Sequence, residues 1–248
     1  MNSGTTNLII GRNPVTEALR AGRDIDKLMV GPGLEGSIKK IIGMAKEKRI
    51  PIIFTDKAAL DRASGGDAHQ GVIAYVSVYE YCEVADILKA AREKGEDPFI
   101  IILDGLEDPH NLGAIMRTAE GAGAHGVIVP KRRSVGLTET VAKASAGAVE
   151  YVPVARVVNI ARTIDELKRE GLWIVACDMG EQMYYEADLT GAVAVVIGSE
   201  GFGISRLVRE KCDFTVSMPM RGKITSLNAS NAAAVLMYEV RRQRDIKE

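Results

Sequence analysis

From Phe99 to the end of the chain, short apolar runs alternate with amphipathic helical patterns, and this rhythm constrains the fold most strongly. The run FIIILD is continuously apolar, which is typical of a strand buried on both faces in a parallel sheet. The later runs GVIVP, YVPVARV, WIVACD, AVAVVIG and FTVSMPM predict further strands, with helical patterns between them and after the last. Strand–helix alternation at this spacing predicts an α/β domain with a mostly parallel sheet.

A smaller pattern of short helices and strands precedes this domain. NPVTEALRAG and SIKKIIGMAKEKR have helical spacing, and the second opens with a serine cap and ends in basic residues. PIIFT and GVIAYVSV predict strands, of which PIIFT is expected to be buried. The sequence therefore predicts an N-terminal domain at 1–78, a linker with a leading amphipathic helix at 79–98, and the α/β domain at 99–248.

Bulk composition excludes several classes of protein. A chain of 248 residues with 46% hydrophobic and 26% charged residues matches an ordinary globular protein, and its net charge of −1 confines any nucleic-acid surface to a local patch. The three cysteines and three histidines lack the spacing of a disulfide framework or metal site, so no metal is expected. The first residues do not resemble a signal peptide, and no apolar run reaches the roughly 18 residues of a membrane span. We therefore expect a cytoplasmic protein.

Three predicted strand ends carry unusual residues, and ligands of open parallel sheets bind beyond the carboxyl ends of strands. These stretches are residues 103–123, 195–205 and 218–230. The glycine turn IGSEGFG superficially permits a dinucleotide-dependent oxidoreductase, but it does not match GxGxxG and comes late in the chain. Glycines in such a turn also let a ligand approach the backbone closely.

The start of the last predicted helix holds more hydrogen-bonding side chains than capping needs. One side-chain oxygen suffices to cap a helix, yet four small polar residues crowd this position: Ser226, Asn228, Ser230 and Asn231. This surplus indicates a functional site, although Ser230 and Asn231 taken alone fit a cap equally well.

Three stretches of this domain resemble, in order and spacing, the three motifs of the SpoU family. They are NxGAIxRTA after one predicted strand, GSEGxG after another, and SLNxS before the last predicted helix. This family is the TrmH-like branch of the SPOUT superfamily and comprises RNA ribose 2′-O-methyltransferases that use S-adenosylmethionine. The resemblance covers about residues 99–245. GRNPVTEAL and HQGVIAYV are similar to the family's ribosomal-protein-like N-terminal RNA-binding domain.

The resemblance implies a fold and a set of site residues. The parallel-sheet SPOUT domain would contain a deep trefoil knot, one of the known exceptions to unknotted topology. The catalytic groups would be Asn111, Arg117, Glu200, Ser226 and Asn228. The S-adenosylmethionine pocket would be formed by Ile197, Gly198, Gly201, Met218, Pro219, Met220 and Leu227. Many family members have Ile in place of Met218, and methionine is an adaptable apolar substitute.

Methyl transfer would be a direct displacement in which the ribose 2′-oxygen attacks the methyl carbon of a sulfonium. The hydroxyl is a poor nucleophile, so it must lose its proton or be strongly polarised while held in line. The family proposal makes Arg117 the base, yet arginine effectively never deprotonates in proteins. Arg117 and a substrate phosphate both stay open as the proton acceptor. Glu200 and Asn111 would orient Arg117, while Ser226 and Asn228 would hold the ribose or a neighbouring phosphate.

The expected substrate is RNA, since DNA lacks the 2′-hydroxyl. Candidate phosphate contacts are the basic run Lys131, Arg132 and Arg133, and Arg12 of the N-terminal domain. The N-terminal domain implies the ribosomal branch, with a guanosine of 23S rRNA as the expected target. Methylation of tRNA, methylation of an rRNA adenosine as in antibiotic-resistance enzymes, and a non-catalytic RNA-binding relative are the alternatives. The family also implies a homodimer, for which the apolar face of residues 227–240 would supply a surface.

Overall fold

The computed structural model describes residues 8–33, 36–76 and 79–247, and the chain divides into two compact units, Met1–Glu80 and Tyr81–Glu248. The first unit contains a mixed four-stranded sheet in the order β1-β4-β2-β3, in which only β2 and β3 pair in parallel. Its elements are β1 (Leu8–Ile10), α1 (Arg12–Arg20), β2 (Ile25–Val30), α2 (Ser37–Glu47), β3 (Ile52–Phe54), α3 (Lys57–Ser64) and β4 (Val72–Val76).

Two details of this unit differ from the sequence prediction. The prediction omitted β1, a short strand that pairs antiparallel with β4. The segment PIIFT was predicted to be a buried strand, but β3 lies at the sheet edge, where Ile53 and Phe54 are 44% and 60% exposed. The prediction of burial was therefore wrong, because an apolar run alone does not reveal whether a strand is central or at an edge.

The second unit contains a six-stranded sheet, entirely parallel, in the order β10-β8-β9-β5-β6-β7. Its strands are β5 (Phe99–Asp104), β6 (Gly126–Pro130), β7 (Val154–Val157), β8 (Trp173–Met183), β9 (Val193–Gly198) and β10 (Phe214–Ser217). Its α-helices are α4 (Val84–Glu93), α5 (Pro109–Gly121), α6 (Glu139–Ala144), α7 (Ile160–Arg169), α8 (Arg206–Lys211) and α9 (Ala229–Lys247). Buried aliphatic side chains fill its central strands, as FIIILD predicts. The predicted α/β fold with a parallel sheet is confirmed.

The segment proposed as a linker with a leading helix belongs largely to this second unit. The hydroxyl of Tyr81 accepts a 3.0 Å hydrogen bond from the backbone nitrogen of Leu137, and Cys82 forms an isolated parallel bridge with Ala155 of β7. Ile87 of α4 is fully buried in the core of the unit. The division between the units falls between Glu80 and Tyr81, and α4 is a structural layer on the sheet.

Helices α5 and α9 run side by side in the same direction. Near their first residues, the side chains of Asn111 and Asn228 are hydrogen-bonded. Ten residues further along each helix, a Cβ atom placed on Gly121 would lie 3.2 Å from the hydroxyl of Tyr238. Both helices therefore begin at the same place, so their N-terminal residues can contribute to one site.

Helix α9 buries most of the apolar face that was predicted to serve a homodimer. Five of its apolar residues are buried in their own unit: Ala229, Ala233, Leu236, Met237 and Val240. Leu227 precedes the helix, and Val235 and Tyr238 are 38% and 53% exposed. Most of the face at 227–240 is therefore not available to a second copy, because the helix packs on its own sheet and on α5. What remains for a second copy is a narrow stripe that includes Val235 and Tyr238.

The cysteines and two of the histidines have structural surroundings. Cys82, Cys177 and Cys212 are unpaired, and burial raises the pKa of each thiol to about 11, so all three stay protonated near neutral pH. His69 and His125 are buried, and each accepts a backbone hydrogen bond through Nδ1. Within residues 8–33, 36–76 and 79–247, no cluster of His, Cys, Asp or Glu could hold a metal ion. In the same ranges no helix has the length and apolarity needed to cross a membrane.

Candidate active site

Three polar side chains from distant parts of the second unit form one hydrogen-bonded cluster. The amide nitrogen of Asn111 donates to Oε1 of Glu200 at 3.1 Å. The amide nitrogen of Asn228 donates to Oδ1 of Asn111 at 3.0 Å and also to Oε1 of Glu200. One residue comes from the start of α5, one from the loop after β9, and one from the position before α9. We call this set of Asn111, Glu200 and Asn228 the amide–carboxylate cluster.

Local sequence chemistry places Asn111 in the cluster. Asp108 caps α5 by accepting a 2.9 Å hydrogen bond from the backbone nitrogen of His110, and Pro109 occupies the first turn, where its missing N–H costs nothing. Gly113, two residues after Asn111, faces α6 so closely that a Cβ there would lie 2.4 Å from that of Ala144. Asn111 is buried, because α5 is held between α6 and α9.

The amide oxygen and the amide nitrogen of Asn228 have different partners. Its Oδ1 accepts hydrogen bonds from the backbone nitrogen of Ser230 at 3.0 Å, from the Ser230 hydroxyl at 2.6 Å and from the backbone nitrogen of Asn231 at 3.4 Å. The oxygen thus caps α9, while Nδ2 is turned toward Glu200 and Asn111. Ser230 supports this orientation of Asn228, and Asn231 is exposed. The surplus of polar residues noted in the sequence is therefore divided between helix capping and the cluster.

A cavity of about 690 Å³ lies beside the cluster, at the carboxyl ends of β9 and β10 and next to the middle of β8. It is lined by Glu200 and Asn228 of the cluster and by six of the seven residues predicted to form the cofactor pocket: Ile197, Gly198, Gly201, Met218, Met220 and Leu227. Ser226 also lines it. The lining does not include Pro219, Asn111 or Arg117. The volume lies within the range of about 300–1,000 Å³ that is typical of small-molecule sites.

The turn after β9 is closed tightly over the end of its own strand. Backbone hydrogen bonds of 3.1 and 2.9 Å join Ser199 and Gly203 in both directions. Gly201 and Gly203 have positive φ angles of 85° and 66°. A Cβ on Gly198 would lie only 2.2 Å from the carbonyl carbon of Gly203, so the turn can form only if residue 198 is a glycine.

Arg117 lies outside the amide–carboxylate cluster of its own chain. It is exposed on α5, six residues and about 9 Å along the helix axis beyond Asn111. The six-residue spacing also places it about 120° around the helix from Asn111, on a different face. Among the residues that the structure describes, it makes no hydrogen bond or ion pair. One chain alone does not bring Arg117 to Glu200.

The basic run at 131–133 lies near the turn after β9. A Cβ atom placed on Gly105 would be 3.8 Å from the hydroxyl of Ser199 and 3.9 Å from the carbonyl oxygen of Arg133. The loops after β5, β6 and β9 therefore meet at this edge of the sheet. Arg132 and Arg133 are exposed there, and Lys131 is half-buried.

Arg12 has a structural role within the N-terminal unit. Its Nε donates a 2.9 Å hydrogen bond to the backbone oxygen of Gln70, and its backbone nitrogen donates to Oε1 of the same glutamine at 3.2 Å. These contacts join the GRNP and HQG segments of the sequence. They use one of the guanidinium nitrogens.

The structure adds an ion pair that the sequence motifs did not single out. Asp178 and Arg209 both line the cavity, and Oδ2 of Asp178 lies 3.4 Å from Nη1 of Arg209. Arg209 also donates to the backbone oxygen of Met179 at 2.8 Å, which fixes the segment after Cys177. The signal in the sequence was the acidic residue that follows the apolar run WIVAC. Nothing local pointed to its partner 31 residues later.

The lining of the cavity fits S-adenosylmethionine. Ile197, Met218 and Leu227 offer apolar surface for an adenine ring, and glycine backbone is accessible beside them. Asp178 and Arg209 supply one negative and one positive group for the polar parts of the molecule, its ribose hydroxyls and its amino-acid end. A few charged groups in a mostly apolar cleft are the usual composition of a cofactor site.

Comparison with known proteins gives the family. The model of the SpoU rRNA methylase family matches residues 98–238, and that of RNA 2′-O ribose methyltransferase substrate binding matches residues 8–82. The putative TrmH family tRNA/rRNA methyltransferase YacO of Bacillus subtilis is 52% identical over 239 residues, covering 96% of each chain.

Solved structures agree with this result. The SpoU methyltransferase AviRb from Streptomyces viridochromogenes, crystallised with the cofactor AdoMet, is 28% identical with a TM-score of 0.62, covering 96% of this chain and 90% of that chain. A crystal structure described as an RNA 2′-O ribose methyltransferase is also 28% identical, with a TM-score of 0.55, covering 96% of this chain and 88% of that chain. The likeness to SpoU structures supports the knotted topology that the motifs implied. These matches confirm that the chain belongs to the SpoU family of RNA methyltransferases.

Proposed function

We propose that this RNA methyltransferase transfers the methyl group of S-adenosylmethionine to a ribose 2′-hydroxyl. The observation that carries the proposal is the amide–carboxylate cluster at the edge of the cavity. Two amides and a carboxylate from three separate chain segments hold one another in place there, which is how a site fixes a reacting group before the reaction. The family's substrate-binding model, which names 2′-O ribose methyltransferases, matches the N-terminal unit and supports the same reaction.

On the cofactor side, the residues of the cavity would bind and orient. Bound S-adenosylmethionine supplies an electrophilic methyl carbon. Met218 and Leu227 would enclose the adenine, and the backbone around Gly198 would approach it closely. Asp178 would accept hydrogen bonds from hydroxyl or ammonium groups, and Arg209 would hold Asp178 in place. This assignment of Asp178 goes beyond the residues that the motifs indicate.

On the acceptor side, Glu200 is the central group. Its Oε1 accepts from both cluster amides, which leaves Oε2 available for a guanidinium group. Arg117 of the same chain is exposed and directed elsewhere, so we assign the pairing with Glu200 to Arg117 of a second copy. The exposed stripe with Val235 and Tyr238 lies beside α5 and would form part of a two-fold interface.

Arg117 would then position the acceptor through charge and hydrogen bonds. Arginine keeps its proton in proteins, so we assign the proton of the 2′-hydroxyl to a phosphate oxygen of the substrate. Ser226 lines the cavity next to Leu227, and its hydroxyl would hold the ribose or that phosphate. Glu200 and the two asparagines would keep these groups in register with the methyl carbon.

For the substrate we propose ribosomal RNA, with a guanosine of 23S rRNA as the expected target. The N-terminal match to a substrate-binding unit supports a large RNA, while the name of the Bacillus subtilis relative covers both tRNA and rRNA. The exposed Arg132 and Arg133 would contact phosphates near the sheet edge.

The test is nucleoside mass spectrometry after the protein has been incubated with labelled S-adenosylmethionine and either rRNA or tRNA. Labelled 2′-O-methylguanosine from 23S rRNA is the expected product. Label on a base would contradict the proposed reaction. Label on a ribose of tRNA or of an adenosine would keep the reaction and replace the substrate. Cofactor binding without any transfer to RNA would identify a non-catalytic RNA-binding relative.

A further inference from the structure

Phe202 lines the cavity and has the most exposed large apolar side chain within residues 8–33, 36–76 and 79–247. It is 95% exposed, although its backbone lies in the turn that follows the central strand β9. An aromatic ring presented in this way has a large area to bury and only two side-chain torsions to fix. Such a residue beside a binding cavity indicates recognition of a further partner.

The turn holds this ring in a defined place. The paired backbone hydrogen bonds between Ser199 and Gly203 close a loop of three residues, in which Phe202 is the last. Glu200 belongs to the same loop and is fixed by the amides of Asn111 and Asn228. The position of the ring is therefore coupled to the amide–carboxylate cluster, the place where the acceptor nucleotide must arrive.

Two exposed cations belong to a loop that lines the same cavity as the ring. Arg221 and Lys223 are exposed in the loop before α9, whose residues Met220 and Thr225 line the same cavity as Phe202. In the described ranges neither cation forms an ion pair. An aromatic surface and unpaired cations around one cavity are a combination that binds single-stranded nucleic acid, because bases stack on the ring while phosphates contact the charges.

We propose that Phe202 is a stacking platform for a base of the RNA strand at or next to the methylated nucleotide. The proposal rests on RNA being the substrate and not on the position of the methyl group. Stacking requires an unpaired base, so the target lies in a loop, bulge or opened segment rather than in an intact helix. Phe202 would thereby select accessible nucleotides, and the cluster would act on the ribose.

The test compares three variants of Phe202 for RNA binding, measured by fluorescence anisotropy, and for the KM of the RNA in the transfer assay. Base–aromatic stacking contributes about 1–3 kcal/mol, so Phe202→Ala should weaken RNA binding about 5–150-fold. Phe202→Trp should bind RNA about as tightly as the wild type, whereas Phe202→Leu should resemble the alanine variant because it lacks a π-face. Leu207→Ala is the matched control, since Leu207 is 55% exposed on the neighbouring α8 and should not affect binding.

Three outcomes would overturn the inference. Full RNA affinity of Phe202→Leu would show that only apolar contact matters. Loss of S-adenosylmethionine affinity in Phe202→Ala, with RNA affinity intact, would place the ring in the cofactor site. A change of oligomeric state in sedimentation would place it at an interface between copies.

RNA containing 2-aminopurine near the target gives an independent readout, because its fluorescence should be quenched by the wild-type ring and restored in Phe202→Leu. Both binding readouts stand even if the methyl group is found on a base.

Discussion

The side-chain amide of Asn228 donates a 3.0 Å hydrogen bond to the side-chain oxygen of Asn111, which lies 117 positions earlier in the chain. This contact joins the first residues of α5 and α9 and brings both amides to Glu200. Because the opposite atom of Asn228 caps α9, one residue couples the start of a helix to the candidate active site. Helix stability and activity can therefore be separated by substitution at this position.

Asn228→Ser tests this separation. Serine is as good an N-cap as asparagine, so the free energy of unfolding should change by less than about 1 kcal/mol. The variant loses both amide contacts, and misplacement of Glu200 should lower kcat about 100-fold. Chemical denaturation and steady-state methyl transfer measure the two effects. Asn231→Ala, a substitution at an exposed neighbouring position, is the control and should retain activity. A normal kcat for Asn228→Ser would contradict a role of the cluster in the reaction.

Arg117→Ala should fold and bind S-adenosylmethionine normally, because the side chain is exposed and lies outside the cavity. Methyl transfer should be abolished. If Arg117 acts on a second copy, mixing this variant with Asn228→Ser and allowing subunits to exchange should recover activity. Random pairing leaves one intact site in about half of the dimers, which is about a quarter of all sites. Retained turnover of Arg117→Ala would refute its role, and no recovery on mixing would refute a site shared between copies.

Gly198→Ala should abolish cofactor binding. The new methyl group would lie 2.2 Å from the carbonyl carbon of Gly203, so the turn after β9 must move. Such overpacking typically destabilises a protein by about 1–3 kcal/mol. Calorimetric titration with S-adenosylmethionine and a thermal melt measure both effects. Gly191→Ala is the matched control, because a Cβ at Gly191 meets nothing within 4 Å; equal cofactor affinity in the two variants would contradict the role of the turn.

Stability should fall at acidic pH in part through His125. Burial lowers the pKa of this imidazole, against the opposing effect of Glu96, and its Nδ1 accepts a 3.0 Å hydrogen bond from the backbone nitrogen of Phe99. The neutral form is favoured in the fold, so its stabilisation is present above the ordinary pKa of 6.5 and is lost as pH falls through the lower folded value. Between about pH 7.5 and pH 5, the free energy of unfolding measured in urea should therefore fall less for His125→Gln than for the wild type.

Local patterns in the sequence predicted most of the second unit. Continuous apolar runs such as residues 99–104 identify buried parallel strands, because both faces of such a strand need apolar side chains. The three motifs also indicated which strand ends converge, and the structure joins Asn111, Glu200 and Asn228 there. Long-range pairing was less accessible, as the edge position of PIIFT and the ion pair of Asp178 with Arg209 show.

Helix geometry alone could have predicted that Arg117 lies outside the amide–carboxylate cluster of its own chain. Asn111 and Arg117 are about 120° apart around α5, so the sequence already separates them onto different faces. The sequence did not reveal how much of the apolar face of α9 stays free for a second copy, because an apolar stripe looks the same whether it meets its own sheet or another chain. Phe202 occupies a position within GSEGFG that the motif leaves variable, so only its exposure in the structure draws attention to it.

The most direct measurement uses an RNA oligonucleotide in which the mapped target carries a single 2′-deoxy sugar. Methyl transfer to this substrate should disappear, while its affinity for the protein stays close to that of the all-ribose RNA, because phosphates and bases provide most of the contacts. Transfer at the wild-type rate to the deoxy substrate would show that the methyl group goes elsewhere, and would contradict ribose methylation at the amide–carboxylate cluster.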